Sequence, residues 1–395
     1  VNPDYEEAHS NLGLILLDLD KLEEAKISTR KAISLNPNFA NAHLNLGIIL
    51  RDLGTLAESF DSYFRVIEIN PKYPNIYSLI TEFLRDSDPS ELNKYKLKKI
   101  LNIMLEKNDV RHKELFNAFK FLYSNKIITN LEKLYSDNSK TELILNDKII
   151  INALKKIIFT DPKLEDLLKK IRSKFCKKIA KNTQNITSYE LQFIIALGEQ
   201  CFLNEYVYSI TKEEDISVNI IIKRCSNRYL NEEAISILSC YFPLYKLVNR
   251  IPSLKSFDSD KKSIKELIKL QIAEPLNEIE LSQKTKRLGK INDDISQRVK
   301  SQYEKNPYPR WRYGNHLESQ KISIAQRINT EIKPNYISQT IENEQVRVLI
   351  AGCGTGQQIL HTQRYKNAQI TAIDLSLSSL AYAQRKINEL SIDKI

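Results

Sequence analysis

Residues 2–16, NPDYEEAHSNLGLIL, return 34 positions later as residues 36–50, NPNFANAHLNLGIIL, and Asn70-Pro71 open a third copy. The register holds between the copies. Tyr5 matches Phe39 and Tyr73, Ala8 matches Ala42, Leu22 matches Leu56, and Ile33 matches Ile67. A fixed period of this length marks a small unit that cannot bury its apolar face alone and must stack on its neighbours. Gly13 and Gly47 are small where two helices have to approach closely, with Ala25 and Ser59 as the small residues facing them. Pro37 and Pro71 punctuate, because proline cannot continue a helix. The third copy begins at Tyr73 (YPNIYSLITEFLRD) and loses the register in its second half, where position 105 is Leu.

The 34-residue pattern resembles the tetratricopeptide repeat, two antiparallel helices per unit. That resemblance implies an α-solenoid over residues 1–86 whose concave face takes a protein or peptide partner. The alternative is that so short an array only packs against the next domain.

Downstream, residues 87–290 read as a helical domain. Leu168, Ile171, Phe175 and Ile179 form one apolar stripe at helical spacing. Ser188 and Asn231 are placed as N-caps of the helices SYELQFIIALGEQCFL and NEEAISILSCYF. Cys201 and Cys240, among apolar neighbours, read as core. Glu205 and Tyr206 fit either a ligand contact or a helix end. Residues 291–335 change texture: a helix over Asp294–Gln302, then an extended path through NPYPRW forced by Pro307 and Pro309. Trp311 and its neighbours read either as a rigid brace between domains or as a flap over a ligand.

Composition bounds the alternatives. The 395 residues, 42% hydrophobic, have room for two or three domains. No apolar run is long enough for a membrane span, and no signal-peptide pattern opens the chain. Met104 is the only methionine, so Val1 is not a translation start, and a missing upstream end is expected. Five cysteines without a C-x-x-C pair, and five dispersed histidines, disfavour disulfides and metal sites and fit a cytoplasmic protein. The net charge of +10 is concentrated in residues 88–335, which carry 45 basic and 31 acidic side chains. Such an excess admits a nucleic-acid partner, but it is read first as a solvated, lysine-rich surface.

Residues 347–358, RVLIAGCGTGQQ, carry the chemistry. Val346–Ala351 reads as a buried parallel strand. Gly352, Gly354 and Gly356 let the backbone bend sharply and approach a ligand, and a helix is expected from near Gln357. A second strand, AQITAID, ends at Asp374, where a carboxylate can accept both hydroxyls of a ribose. Ser376 caps the following helix. Dinucleotide sites want G-x-G-x-x-G; this loop is G-x-G-x-G.

That spacing resembles class I S-adenosylmethionine-dependent methyltransferases. The chain as a whole resembles bacterial proteins that join tetratricopeptide repeats to a methyltransferase domain, through the repeats, QCFLNEYV, YFPLYKL, QIAEPLNE, YEKNPYPRW, and VLIAGCGTGQ with AIDLSLSSLAYAQRK after it. The resemblance implies a mainly α protein followed, over residues 336–395, by an incomplete α/β Rossmann-like domain. It implies S-adenosylmethionine as cofactor, contacted by Ala351, Gly352, Cys353, Gly354, Thr355, Gly356, Asp374, Leu375 and Tyr303. It leaves the methyl acceptor and the catalytic residues unassigned. One departure is Ile350, where many members carry an acid two residues before the first glycine. With only 60 residues after Asn335, the sheet is expected to be incomplete and this chain to be a fragment without turnover of its own. The competing expectation is a repeat-based adaptor with a vestigial nucleotide fold.

Overall fold

In a computed structural model of the chain, the residues described are 5–131, 138–182, 185–227, 230–314, 321–332, 336–337, 346–363 and 365–392. The chain divides into two compact units, Val1–Asp137 and Asn138–Ile395.

In the first unit, α1 (Glu6–Asp18) and α2 (Leu22–Leu35) form one helical hairpin; α3 (Ala40–Asp52) and α4 (Leu56–Ile69) form the next. The Asn36-Pro37 and Asn70-Pro71 steps are built the same way. Asn36 and Asn70 are held extended by the proline that follows, at φ −134° and −140°. Their side-chain oxygens accept the amides of Asn38 (3.1 Å) and Lys72 (3.0 Å). These two-residue turns reverse the chain between repeats. Within a hairpin the glycine sets the spacing. A Cβ on Gly47 would lie 2.5 Å from the Tyr63 ring, and one on Gly13 would lie 2.1 Å from Thr29 Oγ1. Ser59 Oγ donates to the Gly47 carbonyl at 2.7 Å, so the residue expected opposite that glycine is there. Opposite Gly13 the nearest side chain is Thr29, with Ala25 contributing its carbonyl. Phe60 and Tyr63 then pack on Phe83 of α5 (Ile76–Asp86), with ring centroids 5.9 and 5.7 Å away. Two further helices, α6 (Lys94–Glu106) and α7 (Phe116–Leu131), complete the unit outside the repeat register.

The second unit opens with α8 (Asn138–Leu145), α9 (Lys148–Lys156), α10 (Pro162–Lys181), α11 (Ser188–Leu203), α12 (Lys212–Ser226) and α13 (Glu232–Leu238). The stripe of Leu168, Ile171, Phe175 and Ile179 is buried, as are Cys201 and Cys240. Asn231 caps α13 as expected, its side chain accepting the Ala234 amide. The cap of α11 is Thr187, one residue before Ser188. There Thr187 and Glu190 satisfy each other's backbone amides in a reciprocal box, which a lone serine at 188 would not. A long helix follows as α14 (Lys262–Ile268), a π-helical turn over Lys269–Ala273, and α15 (Glu274–Lys284). Pro275 lacks the amide that a regular turn would use, and the widened turn accommodates it. That turn also aims Gln271 inward, where its amide nitrogen donates to the carbonyls of Gly198 (2.9 Å) and Ser239 (3.3 Å).

The unit ends with α16 (Asp294–Lys305), α17 (Ile324–Glu331), β1 (Val346–Ala351), α18 (Ile359–Thr362), β2 (Ala368–Ile373) and α19 (Leu377–Glu389). The strands are parallel, paired from Val346↔Ala368 to Ala351↔Ile373. The helix expected from near Gln357 starts at Ile359 and makes one turn. One expectation is corrected. The strand β1 is not buried on both faces: Ile350 packs with Ala372 on Ile359, Ala383 and Ile387, while Leu349 on the other face is 62% exposed. Among the described residues the sheet has these two strands, so the architecture is mainly helical. The sequence IDKI, residues 392–395, reads as the start of a third strand, and of it only Ile392 lies within the described residues.

The Gly47 contact makes a prediction. Tyr63 is fully buried and cannot swing away, so Gly47→Ala overpacks the hairpin and lowers stability by about 1–3 kcal/mol. Thermal unfolding measures this, and an unchanged Tm contradicts the close approach.

Candidate functional site

β1 leaves the sheet at Ala351, and the backbone then takes three left-handed steps, with φ +70° at Gly352, +51° at Gly354 and +83° at Gly356. Side-chain-bearing residues rarely adopt this region. The amides of Gly352 and Cys353 both donate to the Ile373 carbonyl, at 2.9 and 3.1 Å, fastening the bend to the end of β2. The glycines divide the work. A Cβ on Gly356 would lie 2.7 Å from that of Ala383, so Gly356 lets α19 cross closely. A Cβ on Gly352 would meet nothing within 4 Å, and one on Gly354 only the Tyr308 carbonyl at 3.9 Å. Gly352 and Gly354 therefore border open space.

Asp374 turns towards that bend. Its Oδ2 accepts the Gly354 amide at 2.8 Å and its Oδ1 accepts the Ser376 amide at 2.9 Å. A carboxylate has about four acceptor positions, so two remain for a ligand. Ser376 caps α19 through the Ser379 amide, as its position after the second strand suggested. Glu304 of α16 reaches the same helix end, its Oε2 accepting Ser376 Oγ (2.8 Å) and the Ser378 amide (3.1 Å). Negative charge at a helix N-terminus is favourable.

Between the glycines, Cys353 and Thr355 are buried. Burial, and then the Asp374 charge, push the Cys353 thiol up to about 11. The Thr355 hydroxyl donates to the Pro309 carbonyl (2.6 Å), and the Trp311 indole N–H donates to the Thr355 carbonyl (2.9 Å). Tyr382 then donates to the Trp311 carbonyl (2.6 Å), and Lys386 to that of Arg312 (2.8 Å). With Trp311 itself buried, NPYPRW is a brace sewn across the bend from both sides. Two arginines tie it to the helical layer. Arg310 pairs with Glu205 (2.7 Å) and lies between the Phe202 and Tyr382 rings. Arg312 pairs with the fully buried Glu199, which Lys155 also meets at 3.1 Å. Arg385 of α19 pairs with Glu274 (3.1 Å) and Glu278 (2.7 Å) of α15.

The structure thus brings Gly352, Cys353, Gly354, Thr355, Gly356 and Asp374 together around one bend. Ala351 and Leu375 flank it and are exposed. Tyr303 stands apart, 37% exposed on α16 beside Glu304. Among the described residues its hydroxyl bonds to no group of the bend. Glu205 and Tyr206 are a helix end with consecutive left-handed φ of +57°, a costly pair for residues with side chains. Tyr206 OH is held on Gln271 Oε1 at 3.0 Å, and burial raises the Glu205 carboxyl against the pull of Arg310. Sequence reasoning missed Glu199, Glu278, Glu304 and Arg385. Glu278 and Glu304 lie in QIAEPLNE and YEKNPYPRW, segments that carried the family resemblance, and Glu199 stands as a lone acid in the apolar run FIIALGEQCF. No group of three or more histidines, cysteines and acids suited to a metal occurs among the described residues.

The repeat unit has its own concavity, about 370 Å³, between the first helices of successive repeats. Ser10, Asn11, Asn41, Asn45 and Tyr73 line it, with Asn45 donating to Ser10 Oγ (3.0 Å) and Tyr73 to Asn41 Oδ1 (2.6 Å).

The family model of the tetratricopeptide repeat matches residues 6–39. No curated protein matches the chain. Residues 6–39 are therefore a tetratricopeptide repeat, a unit that generally mediates contact between proteins, and the match does not extend to the glycine bend. Among the described residues, no helix is long and apolar enough to cross a membrane.

The Cys353 thiol supplies a test of the bend's enclosure. With the thiol at about 11, about one in a thousand is ionised at pH 8, since each unit is a factor of ten. Iodoacetamide labelling of the native chain, followed by mass spectrometry, should spare Cys353 at pH 8 and accelerate only towards pH 11. Labelling at the rate of an open thiol contradicts the buried geometry.

Proposed function

We propose that the glycine bend and Asp374 hold S-adenosylmethionine, and that the chain serves a methyltransferase whose repeat unit engages a protein partner. The observation that carries the cofactor reading is the Asp374 carboxylate, bonded to the Gly354 amide beside two glycines, Gly352 and Gly354, at which an added Cβ would meet almost nothing. The donor set fits the ligand. Two unused carboxylate positions suit a ribose diol, and two glycines without steric neighbours leave room for the methionine moiety. The exposed Leu375 offers an apolar surface beside the ribose. The bend has no third glycine spaced for a pyrophosphate, which weighs against a dinucleotide.

The cofactor supplies an electrophilic methyl group on a sulfonium. The part of this chain is to bind and orient. Asp374 and the backbone of residues 351–356 fix the nucleoside and amino-acid ends, and the brace through Trp311 and Thr355 keeps the bend from relaxing. Methyl transfer of this kind draws mainly on proximity and alignment. A second reading, a repeat-based adaptor, is favoured by one observation, that the family match lies in residues 6–39.

Isothermal titration calorimetry with S-adenosylhomocysteine tests the choice. The account expects micromolar binding, weakened roughly 10- to 100-fold by Asp374→Ala, the effect of losing charge-assisted hydrogen bonds. NADH should not compete. Absence of binding at millimolar ligand by a folded chain contradicts the cofactor site and leaves the adaptor.

A further inference from the structure

The segment from Lys286 to Tyr308 is exposed over most of its length and ends at the bend, where the Tyr308 carbonyl faces Gly354. Its helix, α16, buries none of its residues. Six cations lie on it: Lys286, Arg287, Lys290, Arg298, Lys300 and Lys305. Among the described residues none of the six has a carboxylate within ion-pairing distance, although surface lysines elsewhere in this chain are repeatedly paired, as Lys284 is with Glu280 and Lys261 with Glu232. The segment's own acids are committed elsewhere or outnumbered. Asp293 caps α16 through the Ser296 amide, and Glu304 is turned onto Ser376 and Ser378. Only Asp294 remains. Among the described residues, this surface is therefore positive and its cations are without ion-paired acids.

Aromatic and apolar groups are interleaved with that charge. Ile295, Val299 and Tyr303 recur at four-residue spacing and so form one column of the helix. Arg298 and Lys305 lie on the adjacent column, separated by about 10 Å along the axis at 1.5 Å per residue. Tyr308, 67% exposed, continues the surface, and its carbonyl is the group nearest to Gly354 in the open space. Unpaired cations along a track, with exposed aromatic rings beside them, are the means by which proteins hold single-stranded nucleic acid. The cations meet phosphates and the rings stack on unpaired bases. An acidic protein would use the charge but would have no need of the exposed tyrosine faces. A bilayer would need a broader apolar face than one column with polar residues on the rest of the helix.

We infer that residues 286–308 form a binding surface for single-stranded nucleic acid that leads to the glycine bend. That this strand presents the methyl acceptor rests on the cofactor reading above; the binding itself does not. The test uses the whole chain without cofactor and measures fluorescence anisotropy of a labelled 20-nucleotide oligothymidylate. About four neutralised phosphates give roughly a 50-fold loss of affinity between 50 and 200 mM salt. Lys286→Glu, Arg287→Glu and Lys290→Glu together should weaken binding at least tenfold. The equally exposed trio Lys212→Glu, Lys223→Glu and Lys255→Glu should change it less than threefold, which separates a local surface from net charge. Tyr303→Ala and Tyr308→Ala should each weaken binding about fivefold or more with the salt slope unchanged. Circular dichroism confirms the fold of each variant.

Equal effects of the two charge-reversal trios overturn the inference. So does indifference to both tyrosine substitutions with heparin or an acidic peptide competing as well as the oligonucleotide, which marks a site for acidic proteins. Capture by phosphatidylserine vesicles with no affinity for the oligonucleotide overturns it in favour of a membrane surface. Because no cofactor is present, these outcomes are independent of the calorimetry with S-adenosylhomocysteine.

Discussion

The bond between the Asp374 carboxylate and the Gly354 amide is the constraint on which the site depends. Three left-handed backbone steps in five residues have no regular structure to hold them, and the bend would otherwise sample many shapes. Two anchors fix it. The end of β2 accepts the amides of Gly352 and Cys353 on the Ile373 carbonyl, and the next residue in the chain, Asp374, accepts the amide of Gly354. The same carboxylate accepts the Ser376 amide and so sets where α19 begins. One side chain thereby couples the bend, the strand end and the helix start. A ligand gripping the bend at one end and the acid at the other would meet groups already at a fixed spacing.

Buried charge joins this arrangement to the helices before it. Arg385, Glu274 and Glu278 are largely out of water, as are Arg312 and Glu199. Buried pairs add little net stability compared with apolar packing, but removing one partner strands the other, typically at a cost of about 3–5 kcal/mol. Helices α9, α11 and α15 are thus tied to the brace and to α19 by pairs that are costly to half-break. The Arg310 guanidinium, between two aromatic rings and the Glu205 carboxylate, extends that commitment to the strained end of α11.

Part of this was legible in the sequence because it is periodic. The Asn-Pro turns and Gly47 recur at a fixed spacing, and each has a local physical role that repetition makes visible. The stripe on α10 and the caps at Asn231 and Ser376 were readable for the same reason, being local. The bend and its acid were readable as chemistry, since glycines and a strand-terminal carboxylate have few other uses in that order. What stayed hidden is non-local. Glu278 and Arg385 lie 107 positions apart, and nothing in QIAEPLNE announces that its acids are buried. The cap of α11 was misplaced by one residue because the competing Thr187 acts together with Glu190. The uncovered face of β1 could not be read from VRVLIA, whose apolar run looks the same whether one face or two are buried. The positive surface on α16 was hidden in an ordinary lysine-rich composition, because pairing, and not charge count, distinguishes it.

Hydrogen–deuterium exchange, resolved to short peptides by mass spectrometry, is the most direct measure of the central claim. With saturating S-adenosylhomocysteine, peptides covering residues 352–358 and 374–378 should slow together, while those of α1 to α4 stay unchanged. Protection of only one of the two segments, or of neither, would mean that the bend and the Asp374 carboxylate do not grip the same ligand.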